Sequence, residues 1–547
     1  MSEHGTVTAL TAIELARRIA RRELSSRDVT AAFIRRIEEL DPQLNAIVVR
    51  RFAAAWRESE DVDKRLQRGE PAADLPPLLG VPVTVKENFH LAGTPCCIGL
   101  SRFRDALSPH DSPLVTQLRR AGAVILGKTN LSQLMYFHEC DNPVYGCTKN
   151  PWNLARTPGG SSGGEAAALA ANMSALGLGS DLGGSIRVPA HFSGVCGLKP
   201  TARRLPRHGT FETFRGLTTI GFQPGPLART TADLALAWRI LARATAEPDT
   251  SLDRSDTVPV AWRDPARIDL SRLVIGVWHD DPFFPVSPAI RRAMEEAADF
   301  LARQGATIRT FVPPSLAEAV GLYLGIMSVD GGAELRHLAA GSRLDPRMRR
   351  MLWLSRIPRT LRLLLAESLQ LIGQPGWAFA LRHSGPRTGR GTWGLAAHRR
   401  DYVSRVRERL DSQQMDAVIC PPYGLPALRH GRSVDAIHAA SYAFWANVME
   451  FPCGIVPVTT VSVDETRPIR PSTLDVVARE ACRNEKDSEG LPVGVQVVAR
   501  PWREDIVLAI MQSIEGAANF AKAREAMLSR LESFATGRPP GPLPMNS

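Results

Sequence analysis

Lysine is scarce in this chain of 547 residues: Lys64, Lys86, Lys128, Lys149, Lys199, Lys486 and Lys522 stand against sixty arginines. The formal net charge of +11, from 67 Lys+Arg against 56 Asp+Glu, is thin for this length and reads as an arginine-favouring surface, not as a nucleic-acid footprint. Cysteine is also rare. Eight are spread along the chain without a C-x-x-C pair, which excludes a disulfide framework and a structural zinc site and suits free thiols in a reducing compartment. No run of 18 uncharged apolar residues occurs, so no segment is expected to span a membrane. The first ten residues lack the basic and apolar regions of a signal peptide, which points to the cytoplasm. With 44% hydrophobic and 22% charged residues, the composition is that of a globular protein.

What is present is α/β alternation. Apolar positions Ile13, Leu15, Ala16, Ile19 and Leu24, then Val29, Phe33, Ile37 and Leu40, predict a pair of amphipathic helices over 11–40 broken at Ser25-Ser26. Short β-rich runs follow at 80–85, 123–126, 273–278, 417–420 and 454–461, with a helix over 112–121 before the second of them. The polar stretch Ala246–Thr257 suits a linker or long loop, and the Pro/Gly-rich residues 536–547 suit a disordered tail. The rest, residues 1–535, is expected to be one domain.

Two motif matches need weighing. Gly122-Ala-Val-Ile-Leu-Gly-Lys128-Thr129 fits the phosphate-loop pattern G-x-x-x-x-G-K-[ST]. Its middle residues are the apolar core of a strand, however, whereas a phosphate cradle needs a flexible loop there. Gly159-Gly-Ser161-Ser162-Gly163 fits the nucleophile elbow G-x-S-x-G, but the residues before it are loop-like instead of a strand.

The surroundings of that second motif carry more. Thr157-Pro-Gly-Gly-Ser161-Ser162-Gly-Gly is followed, 24 positions after Ser161, by Ser185 in Asp181-Leu-Gly-Gly-Ser185-Ile-Arg187. A single lysine, Lys86, sits at the end of the apolar run Val81–Val85. With these residues the chain resembles the amidase signature family over roughly residues 8–530, with the signature core at about 75–235. The resemblance implies an α/β fold, a large mixed twisted sheet covered by helices on both faces, and a Ser-cisSer-Lys triad. Ser185 would be the nucleophile, Lys86 the general base and Ser161 the bridging serine. Leu182, Gly183, Gly184 and Ser185 would supply oxyanion-hole amides, Asp181 and Arg187 would brace the loop, and Ser162 would support it. No cofactor and no metal are implied.

The chemistry is consistent with such a set. An amide is a poor electrophile with a poor leaving group, so its hydrolysis needs an activated nucleophile, oxyanion donors and a proton for the departing nitrogen. A lysine beside an apolar strand is desolvated, which disfavours its charged form and frees it to act as a base. His90, His138, His191 and His208 lie near these motifs, but a lysine relay leaves them no task and they read as structural or surface histidines.

Within the family the likeness is to members that hydrolyse fatty acid amides. Ser441–Thr460, Gly490–Trp502 and Thr129–Tyr136 carry it, and Met135 and Tyr136 match residues that line the substrate channel there. This implies hydrolysis of N-acylethanolamine-type or primary fatty amides, and of esters, to acid and amine. A broad aryl, short-chain or carbamate amidase, an amidotransferase subunit, and a basic membrane- or nucleic-acid-binding protein stay open as alternatives.

The segment 343–380 is expected to form a cap. From Arg343 to Glu367 seven arginines face two acids, and after Pro358 the residues Leu361, Leu364, Leu365, Leu369 and Ile372 share one helical face while Arg359, Arg362, Ala366 and Gln370 share another. Two outcomes are open: the leucine face lies on a membrane headgroup region, making the protein peripheral on the inner face of a membrane, or it packs on the core or on a second copy in a homodimer.

Overall fold

The computed structural model describes residues 7–71, 74–243, 257–467, 473–518 and 520–536. The proposed linker, apart from Thr257, and the tail, apart from Thr536, lie outside the described residues. Eleven strands form one sheet: β1 (Ile47–Arg50), β2 (Pro82–Lys86), β3 (Val124–Thr129), β4 (Leu176–Asp181), β5 (Cys196–Lys199), β6 (Gln223–Ala228), β7 (Val274–Val277), β8 (Thr307–Thr310), β9 (Ala417–Cys420), β10 (Cys453–Thr460) and β11 (Pro492–Ala499). Their spatial order is β1-β3-β2-β4-β6-β5-β10-β11-β9-β7-β8. The sheet is mixed. The β3-β2-β4 and β9-β7-β8 groups are parallel, while the strands between and beside them pair antiparallel.

The helices that matter below are α1 (Ala12–Ala20), α2 (Ser26–Leu44), α3 (Pro113–Arg120), α4 (Gly163–Ala170), α5 (Arg187–Ser193), α6 (Leu316–Met327), α7 (Pro346–Leu354), α8 (Arg359–Leu371), α9 (Pro375–His383), α10 (Ser441–Met449) and α11 (Glu504–Ala517). Helix α1 starts where Thr11 and Glu14 exchange hydrogen bonds, Glu14 N to Thr11 Oγ1 at 3.1 Å and Thr11 N to Glu14 Oε2 at 2.9 Å. Of its apolar positions Leu15 and Ile19 are buried, but Ile13 is turned outward, so the inward stripe is narrower than the sequence pattern alone suggests. In α2, Val29, Phe33, Ile37 and Leu40 are all buried as a 3.6-residue period requires.

Strand β2 is buried at every position because it lies between two parallel neighbours, which explains its continuous apolar reading. Strand β3 includes Lys128 and Thr129, the last two letters of the phosphate-loop match. Lys128 points inward and its Nζ donates to the Pro95 carbonyl, so this segment is a strand and not a phosphate cradle. Val83, Thr84 and Val85 pair with Leu176, Gly177 and Leu178. This register brings Lys86, at the carboxyl end of β2, beside the carboxyl end of β4. The eight cysteines form no disulfide. No helix among the described residues is long and apolar enough to cross a membrane.

The cap removes one of the placements left open for the leucine face. Helix α8 buries Arg362 and Ala366 and leaves Leu361, Leu364, Leu365, Leu371 and Ile372 exposed. Arg362 is the reason: its guanidinium reaches back to the chain, with Nε donating to the Leu381 carbonyl at 3.1 Å and Nη1 to the Ile357 carbonyl at 3.3 Å. A buried cation satisfied by backbone carbonyls fixes the inner face, and the leucines are left outside. The expectation that the leucine face packs on this chain's own core is thereby overturned.

Candidate active site

Three short segments converge at the ends of β2 and β4. Lys86 ends β2 with no exposed surface, and its Nζ lies 2.7 Å from Ser161 Oγ and 3.0 Å from Ser180 Oγ. Ser161 precedes α4, and the Gly160–Ser161 peptide is cis. Gly160 is required there by close approach: a Cβ would strike the carbonyl oxygens of Glu139 and Phe137. Ser185 precedes α5 in the loop after β4, and its carbonyl accepts from Ser162 N at 3.1 Å. Ser162 Oγ in turn donates to the Ser180 carbonyl at 3.3 Å, which ties the serine loop to the end of β4. Ser161, Ser180, Leu182 and Ser185 line one cavity that opens to solvent. Among the described residues no hydrogen bond joins the Ser161 and Ser185 hydroxyls, a looseness common in unliganded sites.

The loop after β4 is held by a buried carboxylate. Asp181 Oδ1 accepts from Gly184 N at 2.9 Å, Arg187 Nη2 at 3.0 Å and Asn447 Nδ2 at 2.9 Å, while Oδ2 accepts from Ile186 N at 3.1 Å and Arg187 Nε at 3.0 Å. Arg187 is completed by Gln496 Oε1 and Asn447 Oδ1, each at 2.6 Å. Gly184 has φ +106°, a conformation suited to glycine, and this turns its amide toward Asp181. Of the four backbone amides expected to face a substrate oxygen, that of Gly184 is therefore committed to the brace.

Electrostatics separate these groups. Burial lowers the Lys86 pKa to about 7, an effect that Asp181, Cys140 and Glu165 partly oppose. Burial works against the charge of Asp181 too, but Arg187 and the donated hydrogen bonds outweigh it and hold the carboxyl well below its usual range. Glu165, on α4, has no exposed surface and accepts from Thr84 Oγ1 at 2.7 Å and Thr129 Oγ1 at 2.9 Å. Burial raises its pKa to about 8.

The histidines take backbone roles where they are fully enclosed. His138 Nε2 meets the Gly183 carbonyl at 2.8 Å, and His191 accepts from Gly494 N at 3.1 Å. Burial lowers both to about 4, so each is neutral near pH 7. Met135 lines the cavity together with Leu134, Phe211, Phe214, Leu217, Ile220 and Phe222. Tyr136 meets that wall through Phe214, with ring centroids 6.3 Å apart. Leu134 and Met135 both hold positive φ, +57° and +55°, at the cavity wall. Among the described residues no group of three His, Cys, Asp or Glu side chains is placed to hold a metal ion.

Sequence reasoning missed Ser180, Glu165, Asn447 and Gln496. The last two had a signal, since each is a polar residue inside an otherwise apolar element, Ser-Tyr-Ala-Phe-Trp-Ala-Asn447-Val-Met and Pro-Val-Gly-Val-Gln496-Val-Val-Ala.

This geometry can be set beside known proteins. The amidase family profile matches residues 28–508. Fatty-acid amide hydrolase 1 of Sus scrofa is 35% identical over 445 residues, covering 80% of this chain and 75% of that protein. Fatty acid amide hydrolase 1 of Caenorhabditis elegans is 31% identical over 481 residues, covering 84% of this chain and 80% of that protein. A solved fatty acid amide hydrolase superposes with a TM-score of 0.79 at 24% identity, covering 94% of this chain and 86% of its own, which is a likeness of fold. A family profile spanning most of the chain and relatives above 30% identity over four-fifths of it lead to one conclusion: the chain belongs to the amidase family and is a hydrolase acting on amide bonds.

Proposed function

We propose that this amidase hydrolyses fatty acid amides, with Ser185 as nucleophile, Lys86 as base and Ser161 as the proton relay between them. The observation that carries the reading is the 2.7 Å approach of Lys86 Nζ to Ser161 Oγ in a fully buried setting, at the cavity that Ser185 also lines. Neutral Lys86 takes a proton from Ser161 as Ser161 takes one from Ser185, and Ser185 Oγ attacks the amide carbon. The amides of Leu182, Gly183 and Ser185 receive the developing negative oxygen, and Asp181, Arg187 and Ser162 hold the loop that carries them. The proton returns from Lys86 through Ser161 to the leaving nitrogen, the C–N bond breaks, and amine departs. Water then enters, is deprotonated by the same relay and releases the acid from Ser185.

A fatty acyl chain is supported by the names of the two relatives and by the apolar wall of Leu134, Met135, Phe211, Phe214, Leu217, Ile220 and Phe222. The exposed leucine face of α8, preceded in the chain by exposed Arg349, Arg350 and Trp353, suits a peripheral attachment to an anionic lipid surface from which such substrates enter. We read residues 1–535 as a single amidase domain of this kind. A fluorophosphonate probe combined with amides of graded acyl length tests the function. Covalent labelling at Ser185 and rising kcat/KM with chain length, steeper with vesicles present, are expected. Labelling at another residue refutes the nucleophile, and preference for short or aryl acyl groups refutes the fatty substrate.

A further inference from the structure

The chain surrounds Gly183 with two side chains that the mechanism above does not use. On one side His138 Nε2 lies 2.8 Å from the Gly183 carbonyl. On the other, the phenol oxygen of Tyr323, from α6, presses on the Gly183 Cα so closely that an added methyl group would collide with it. The Tyr323 ring lies flat on Phe444 of α10, with centroids 4.1 Å apart and planes at 11°, which fixes where its hydroxyl sits. Tyr323 is 8% exposed, yet its hydroxyl forms no hydrogen bond with any described residue. It is not among the fully enclosed, unpartnered polar atoms of the described residues, so it reaches open space beside the loop, where a bound molecule can accept from it.

The loop itself has a complementary shortage. Gly184, next in sequence, gives its amide to Asp181, so one of the four backbone donors expected for a substrate oxygen is occupied. A rigidly held hydroxyl donor without a protein partner thus stands against the loop that lacks one. Burial raises the Tyr323 pKa, so the phenol keeps its proton through the pH range in which Lys86 titrates. Its second neighbour of the same kind is Tyr136, near enough for the two phenols to influence each other electrostatically.

We propose that Tyr323 is a substrate-contacting residue whose hydroxyl donates a hydrogen bond to the carbonyl oxygen of the bound amide, beside the backbone amides of Leu182, Gly183 and Ser185. The inference rests on that loop serving Ser185. Because charge grows on this oxygen during attack, the bond strengthens in the transition state and its loss falls on kcat.

Tyr323→Phe tests it, since the variant keeps the ring on Phe444 and breaks no protein hydrogen bond. On a primary fatty amide, kcat is expected to fall by roughly 100-fold or more with KM changed less than about three-fold and the melting temperature unchanged. A kcat within two-fold of wild type, or a loss confined to KM, overturns the proposal. Fluorophosphonate labelling of Ser185 in the wild-type protein checks the underlying assignment separately. Labelling with an unaffected Tyr323→Phe variant defeats the tyrosine alone, whereas no labelling at Ser185 defeats the nucleophile on which it rests.

Discussion

Lys86 Nζ lies between two hydroxyls, 2.7 Å from Ser161 Oγ and 3.0 Å from Ser180 Oγ, at the junction of two parallel strands. Neither neighbour is a carboxylate, so nothing in direct contact compensates a positive charge on Lys86, and burial decides its protonation. A lysine so placed is a base near neutrality, which gives the first expectation.

Activity should rise with pH through about 7. The proposed base works as the amine, and its pKa is lowered to about 7. Below that value each unit of acid removes about nine-tenths of the remaining neutral form, so log kcat/KM should climb with unit slope and then level. Lys86→Arg cannot supply a neutral base and should be inactive from pH 5 to 9. A pH profile measured with saturating and limiting amide checks both statements.

Asp181→Asn should destabilise the fold by about 3–5 kcal/mol, because it strands the Arg187 guanidinium in the interior. The sign with pH follows from the lowered Asp181 pKa. The carboxylate's stabilisation is fully present above about 4, the value of an unfolded aspartate, and is lost as pH falls toward its lower folded value. Urea unfolding at pH 7 and pH 3 should therefore show a smaller difference between wild type and variant in acid.

Gly184→Ala should cost both rate and stability. The residue sits at φ +106°, and its new methyl would meet Ala443 Cβ and Val188 Cγ2, each at 2.9 Å. Backbone strain of this kind costs about 1–3 kcal/mol. A shifted loop loses oxyanion donors, which lowers kcat by roughly 100-fold or more. Steady-state kinetics and a thermal melt on the same preparation measure the two losses.

Replacing Leu361, Leu364 and Leu365 by glutamate should leave the melting temperature within about 2 °C of wild type, since all three are exposed on α8. Co-sedimentation with anionic phosphatidylserine vesicles and long-chain amide turnover should drop, while a short soluble amide is hydrolysed as before. If wild type ignores vesicles and the triple variant converts a dimer to a monomer, the face is a subunit contact instead. Arg362→Ala makes the opposite contrast: it should lower the melting temperature, because Arg362 anchors α8 to the Leu381 carbonyl.

How much of this was readable in advance depends on whether local pattern or distant partners decided it. The strands at 80–85 and 417–420, the break at Pro358 and the Gly/Ser loops are written in local composition and spacing, and the structure has them within a residue or two. The segments around Lys86, Ser161 and Ser185 were legible because each is a polar residue in a setting that should exclude it or expose its backbone. Ser180 was not, because a serine at the end of a Gly-rich strand looks like turn chemistry. The facing of α8 stayed open in the sequence because a leucine stripe suits a core, a partner or a lipid surface alike, and only the tertiary reach of Arg362 to the Leu381 carbonyl of the following helix turns it outward. The commitment of Gly184's amide depends on a φ value that no sequence pattern specifies.

The brace of Arg187 also sets an order of events. Two of its partners, Asn447 and Gln496, lie 260 and 309 positions further along the chain. During synthesis from the amino terminus the serine loops, Lys86 and Asp181 emerge long before the residues that complete the socket of this cation. A nascent chain halted before β11 still contains every residue proposed for bond breaking, yet its Arg187 lacks the Gln496 amide. Amide hydrolysis should consequently be withheld until Gln496 has left the ribosome and can reach Arg187.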